Sequence, residues 1–176
     1  ATGAATLTAV ETIASGVPLG RPSVRRSTGS RRGRAPDIVV RELGPDEFDV
    51  LDTVFAGLSD RSRFLRFHGA TPRMTSGVRR RLGAVDGRRH VAVAAFADGG
   101  AIGIARLVAQ AAGQVELAIE VVDAWQGRGV GRRLLHAVTD VGRRAGYGEL
   151  TAEVLTENVA MRALRASVLP ILSTVT

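Results

Sequence analysis

Val121-Val122-Asp123-Ala124-Trp125-Gln126-Gly127-Arg128-Gly129-Val130-Gly131-Arg132-Arg133-Leu134-Leu135 is the segment from which the architecture of this 176-residue chain follows. An apolar run ends at Val122 and a helical pattern begins near Val130. Between them, glycines alternate with other residues at positions 127, 129 and 131. Glycine lets a backbone turn tightly and approach a ligand closely. Successive N–H groups at a helix start point at one place, and the positive end of the helix dipole lies there too. Together they make an anion site suited to a pyrophosphate. Arg128, Arg132 and Arg133 add positive charge at its rim.

Two other phosphate-binding patterns fail on this segment. A dinucleotide fingerprint needs G-x-G-x-x-G after the first strand of a parallel sheet. Here Arg132 stands where the third glycine belongs, and the glycines come late in the chain. A nucleoside-triphosphate loop needs a lysine, and the sequence has none.

Outward from the loop, Val130, Leu134, Val138, Val141 and Ala145 share one helical face. Arg132, Arg133, His136, Asp140, Arg143 and Arg144 share the other. Gly146 ends this helix, and Leu150 to Leu155 reads as a strand. Upstream, His90–Ala97, Ala101–Ala109 and Val115–Val122 read as three strands. They are joined by turns at Asp98-Gly99-Gly100 and Ala111-Ala112-Gly113, an antiparallel meander. A strand, a helix and a strand in that order imply a right-handed parallel crossover.

Ile38-Val39-Val40 with Leu43 predicts an earlier strand. Pro45-Asp46-Glu47 reads as the first turn of a helix carrying Phe48, Leu51, Val54, Phe55 and Leu58. A second helix starts at Ser59-Asp60 with Phe64, Leu65 and Phe67, and a third holds Val78, Leu82 and Val85. Asn158 reads as the N-cap of a last helix with Met161, Leu164 and Val168 inward. The fold class is α/β: one mixed sheet with helices on both faces.

Composition narrows the chemistry. Without cysteine there is no disulfide, thiolate metal site or cysteine nucleophile. Without lysine there is no Schiff-base lysine. Seven aromatic residues are too few for a base-stacking platform. The net charge of +7 sits mostly in residues 1–36, which hold six arginines against Glu11 alone. That stretch has no hydrophobic period and reads as a flexible Arg-rich tail, with the folded domain spanning 37–176. The first twenty residues lack the cationic start of a secretory signal, and no run approaches the roughly 20 apolar residues of a membrane span. A cytoplasmic location is expected, with neither membrane nor nucleic acid as partner.

Gln126-Gly127-Arg128-Gly129-Val130-Gly131 resembles the Q/R-x-x-G-x-G/A signature of the GCN5-related N-acetyltransferases (GNAT). The flanks agree from about Asp37 to Val168. Leu58-Ser59-Asp60-Arg61-Ser62-Arg63-Phe64-Leu65-Arg66-Phe67 further resembles the first helices of bacterial protein lysine acetyltransferases. The resemblance implies acetyl-CoA as co-substrate, with no metal, and transfer of acetyl to a primary amine by direct attack. The acceptor is a protein lysine or a small molecule. The alternative is a catalytically weak acetyl-CoA-binding regulatory module.

In such folds the strands flanking the crossover helix splay apart and the pantetheine arm pairs with the freed backbone. The resemblance then places the pyrophosphate on the N–H groups from Gln126 to Gly131, with Arg132 beside them. It places the pantetheine and thioester at Val121 and Val122, and Asn158 on the CoA arm. A lysine-like amine must first lose a proton, at a cost of about 4 kcal/mol at neutral pH. A carboxylate, directly or through water, takes it. Glu116 and Glu120 share one face of the third meander strand, and Glu116 matches the family's glutamate base. Arg165 stands where the family often has a tyrosine acid. His68, His90 and His136 show no ligand spacing and read as solvent-facing, and Tyr147 reads as packing. The family's two closing strands have no clear counterpart after Pro170, which leaves the substrate-side wall incomplete or completed by a second subunit in a homodimer.

Overall fold

Apolar runs broken by turn residues drive the centre of the molecule into a sheet. The computed structural model describes residues 6–12, 36–67, 73–110, 115–147 and 149–155, with side chains except in 6–12, at 65 and in 149–155. In chain order the elements are β1 (Thr6–Thr12), β2 (Val39–Glu42), α1 (Phe48–Ala56), α2 (Asp60–Phe67) and α3 (Ser76–Gly83). They continue with β3 (His90–Ala97), β4 (Gly100–Ala109), β5 (Val115–Val121), α4 (Val130–Arg144) and β6 (Glu149–Leu155). The six strands form one sheet in the order β1-β6-β5-β4-β3-β2.

The predicted meander is present: β3 pairs antiparallel with β4, and β4 with β5. Asp98 and Gly99, both with positive φ, make the hairpin turn between β3 and β4. β5 and β6 are parallel, joined through α4. Helices cover both faces. α4 buries Val130, Leu134, Leu135 and Val138 against Val91, Val93, Leu107 and Leu117. On the opposite face, Val50, Leu51 and Val54 of α1 and Leu82 of α3 pack on Ala92, Ala94 and Ile104. β3 is buried on both faces, which explains its unbroken apolar run.

Two readings need correction. Pro45-Asp46-Glu47 is a turn rather than a helical start, with Asp46 at φ 61° and α1 beginning at Phe48. The Glu47 carboxylate accepts from the Gly44 N–H at 2.7 Å and from Arg41, which fixes that turn. Secondly, Thr6–Thr12, inside the stretch read as a tail, forms β1 and pairs antiparallel with β6 along its whole length. Its sequence, TLTAVET, places β-branched residues at every second position, a strand pattern masked by the Ala/Thr/Gly composition around it. The expected last helix with Met161, Leu164 and Val168, together with Asn158, Arg165, His68 and the turn at Ala111-Ala112-Gly113, lies outside the described residues.

Candidate active site

The connection from β5 to α4 starts with a single 3-10 turn over Asp123–Trp125, where the Gln126 N–H closes back onto the Asp123 carbonyl at 3.2 Å. Gly127 and Gly129 follow with φ of 72° and 79°, a region in which L side chains are strained. A Cβ at either position would meet nothing within 4 Å among the described residues, so on their side the space over the loop is open. Gly129 caps α4, and its carbonyl accepts the helix's first bond, from the Arg133 N–H at 3.2 Å. The N–H groups from Gly127 to Arg132 come before that bond and meet no acceptor among the described residues. This open fan of amides at the positive end of a 15-residue helix has the geometry that suits an anion. The Arg128 guanidinium lies 5.1 Å over the Trp125 ring, which itself rests on the α4-side core.

Beside the loop, the parallel pair opens. Between β5 and β6 a single bridge, Glu116 with Thr151, is present among the described residues. The Val122 N–H donates to the Ile102 carbonyl at 2.9 Å, which makes Ile102/Val122 a hydrogen-bonded pair of the antiparallel β4–β5 ladder. Alternation along that ladder makes Gly103/Val121 and Ala105/Ile119 the non-bonded pairs. The amides and carbonyls of Ile119 and Val121 therefore face away from β4, toward the gap before β6. The Val121 carbonyl is taken by the Gln126 side-chain amide at 3.0 Å.

Glu116, Ala118 and Glu120 lie on the α1–α3 face of β5, because Leu117, Ile119 and Val121 pack toward α4. Glu116 is exposed, and its carboxylate accepts from the Gln110 side-chain amide at 3.0 Å. Glu120 is buried and held by two guanidiniums: Arg106 Nη2 at 2.7 Å and Arg66 Nε at 2.5 Å. Burial alone would raise its pKa, but Arg106 and Arg66 outweigh burial and hold the carboxyl below its ordinary value.

α2 sits against β5 through this contact and through its N-terminus. The Ser59 N–H donates to Asp123 Oδ1 at 3.2 Å, and Gln126 Nε2 reaches Ser62 Oγ at 3.3 Å. Gly57, between α1 and α2, lies so close to β5 that a Cβ there would come within 2.6 Å of Val122 Cγ1. Its carbonyl accepts the Asp123 N–H at 3.1 Å.

The profile of the acetyltransferase (GNAT) family matches residues 59–166, from α2 through β6 and beyond. The chain belongs to the GNAT acetyltransferases. The GNAT domain of S. lividans PAT is 29% identical, with a TM-score of 0.69 over 75% of this chain and 85% of that one. The fold is shared with yncA from Salmonella typhimurium, a putative acetyltransferase solved with acetyl-CoA, at 20% identity and TM-score 0.55 over 74% and 77%. It is shared also with the aminoglycoside N-acetyltransferase AAC(6')-Iy, at 18% identity and TM-score 0.57 over 82% and 96%. No curated protein sequence matches the chain.

As a GNAT acetyltransferase the protein takes acetyl-CoA as its co-substrate, and the open amide fan fits a diphosphate. Three expectations change. The Gln126 main-chain N–H is spent on the 3-10 turn, so the available donors run from Gly127 to Arg132; the Gln126 side chain instead ties the loop to α2. The Val122 N–H is committed to Ile102, and Ile119 joins Val121 in facing the gap. Ladder parity carries that information, and sequence alone does not fix it. Glu120 is no base, since both its oxygens are bound to arginines.

His90 is buried rather than solvent-facing, its Nδ1 3.1 Å from the Ala84 carbonyl. His136 is exposed as expected. Tyr147 packs against the α4-side core, and its hydroxyl donates to the Arg88 carbonyl. Among the described residues no group of His, Asp and Glu is placed to hold a metal ion, and no helix is long and apolar enough to cross a membrane.

Proposed function

We propose that this acetyltransferase passes the acetyl group of acetyl-CoA directly to a primary amine, with Glu116 as general base. A protein lysine is the favoured acceptor, on the likeness of Leu58–Phe67 to bacterial protein lysine acetyltransferases. The diphosphate rests on the amides of Gly127–Arg132, and the thioester carbonyl lies in the gap, facing the N–H groups of Ile119 and Val121. The amine nitrogen attacks the carbonyl carbon from the α1–α3 face. A C–N bond forms, the C–S bond breaks, and coenzyme A leaves as a thiolate that solvent protonates. Oriented N–H donors are worth a few kcal/mol as the oxyanion develops.

The observation that carries this reading is the contrast between the two carboxylates on one strand face. Glu120 is locked by arginines, while Glu116 is exposed and among the described residues holds only a neutral amide. Glu116 lies three residues from Ile119, about 10 Å along the strand at ~3.3 Å per residue. That separation calls for a water relay between the base and the amine.

Thiol release with an amine panel tests the assignment. Glu116→Gln is expected to keep coenzyme A affinity and to lose rate about 10²-fold or more near neutral pH. It should converge on the wild type at alkaline pH, where the amine is already free. An unchanged pH–rate profile removes Glu116 as the base. Tight coenzyme A binding without turnover of any amine replaces the transfer reading with a binding module.

A further inference from the structure

Arg106, Glu120 and Arg66 form a largely enclosed cluster with 1%, 6% and 16% of their side chains exposed. Among the described residues it holds two cations and one anion. Low-dielectric surroundings make an unbalanced charge costly, and such a surplus calls for another anion.

The donors of the cluster are also under-used. Arg66 spends Nε on Glu120 and lays its guanidinium 4.9 Å over the Phe67 ring, but its two terminal nitrogens meet no acceptor among the described residues. Arg106 Nε is buried with no partner among the described residues, and Arg106 Nη1 reaches the Leu82 carbonyl only at 3.5 Å. The cluster lies on the same face of β5 as Glu116. Glu120 is adjacent in sequence to Ile119 and Val121, whose amides face the gap, and stands about 13 Å along the strand from Glu116 at ~3.3 Å per residue. An acceptor amine approaching the gap from this face therefore arrives beside Glu120 and the arginine it holds.

We propose that Arg66, mounted on Glu120, is the acceptor-specificity residue: its terminal nitrogens receive a carboxylate that the acceptor carries close to its amine. This rests on the transfer reading above. A guanidinium fork matches a carboxylate in two parallel N–H···O bonds, and the bound carboxylate balances the cluster. A polycationic acceptor, by contrast, brings like charge to two arginines. The carboxylate has two sources, the acid group of a small amino acid or an acidic residue beside a lysine in a peptide.

Steady-state thiol release at saturating acetyl-CoA separates them with matched acceptors. One arm pairs β-alanine and 4-aminobutyrate with their amides; the other pairs lysine peptides differing only in Glu or Gln beside the lysine. With the wild type, kcat/KM is expected to be at least about tenfold higher for the carboxylate member of one arm, chiefly through KM, the low end for a hydrogen bond between charged groups. The arm that responds identifies the source. Arg66→Gln leaves a balanced Arg106–Glu120 pair and should bring the ratio close to one, while Arg66→Lys, which keeps the charge without the fork, should retain part of it.

Equal turnover of both members in both arms by the wild type overturns the proposal and leaves amine transfer standing, as does a ratio that survives Arg66→Gln. Failure of every amine in both arms, with acetyl-CoA bound, overturns the transfer reading and this inference with it.

Discussion

Glu116 and Glu120 stand four positions apart on β5, in opposite surroundings: one exposed, the other buried between arginines. Glu120 is a structural anion: without its charge, Arg106 and Arg66 face each other uncompensated in a largely enclosed cluster. Removing one partner of a buried ion pair typically costs 3–5 kcal/mol. Glu120→Gln is therefore expected to lower unfolding stability by about that much in a denaturant titration, and a loss under about 1 kcal/mol would contradict the burial argument. Sequence reading put both glutamates on one face, which is correct. It did not foresee that Arg66, from α2, and Arg106, from β4, converge on only one of them, because those partners lie 54 and 14 residues away.

At the scale of elements, the position of α2 against β5 sets the shape of the side proposed for the acceptor. Gly57 permits that approach, with no room for a Cβ beside Val122. Gly57→Ala is expected to cost about 1–3 kcal/mol of stability, as small-to-large changes in packed sites do. Val122→Ala in the same chain should recover most of it; no recovery in a thermal melt would show that the contact is not the cause.

The elements themselves were largely legible. Apolar runs bounded by turn residues announced β3–β5, period 3.6 announced α4, and the alternating glycines marked the turn between β5 and α4. What escaped was set by long-range pairing: the ladder parity that turns Ile119 and Val121 toward the gap, and the strand at Thr6–Thr12, whose partner β6 follows more than 130 residues later. Local pattern carries no register between such distant segments.

For the molecule as a whole, several carboxyls are held below their ordinary values. In Glu120, Arg106 and Arg66 outweigh the opposing effect of burial. In Glu47 the cause is first the hydrogen bond from Arg41, and in Asp86 the backbone N–H groups of His90, Arg88 and Arg89. A depressed carboxyl contributes stability that is complete above its unfolded pKa and is lost as pH falls through the folded one. With ordinary values of 4.5 for glutamate and 3.8 for aspartate, Tm is expected to hold level down to about pH 5 and to fall progressively below it. Glu47 and Asp86 lie near the surface, where salt weakens their share, so the acid loss rests chiefly on Glu120. A Tm that stays constant from pH 5 to pH 3 would contradict this.

The account turns on main-chain amides at the start of α4 holding the diphosphate of acetyl-CoA. Isothermal titration of coenzyme A into the wild type and into Gly129→Glu tests it most directly, because a side chain at 129 enters open space but sets a carboxylate among those amides. The predicted result is one-to-one binding by the wild type, lost in a variant that still melts cooperatively. Absence of binding by the folded wild type, or equal affinity in the two proteins, would contradict it.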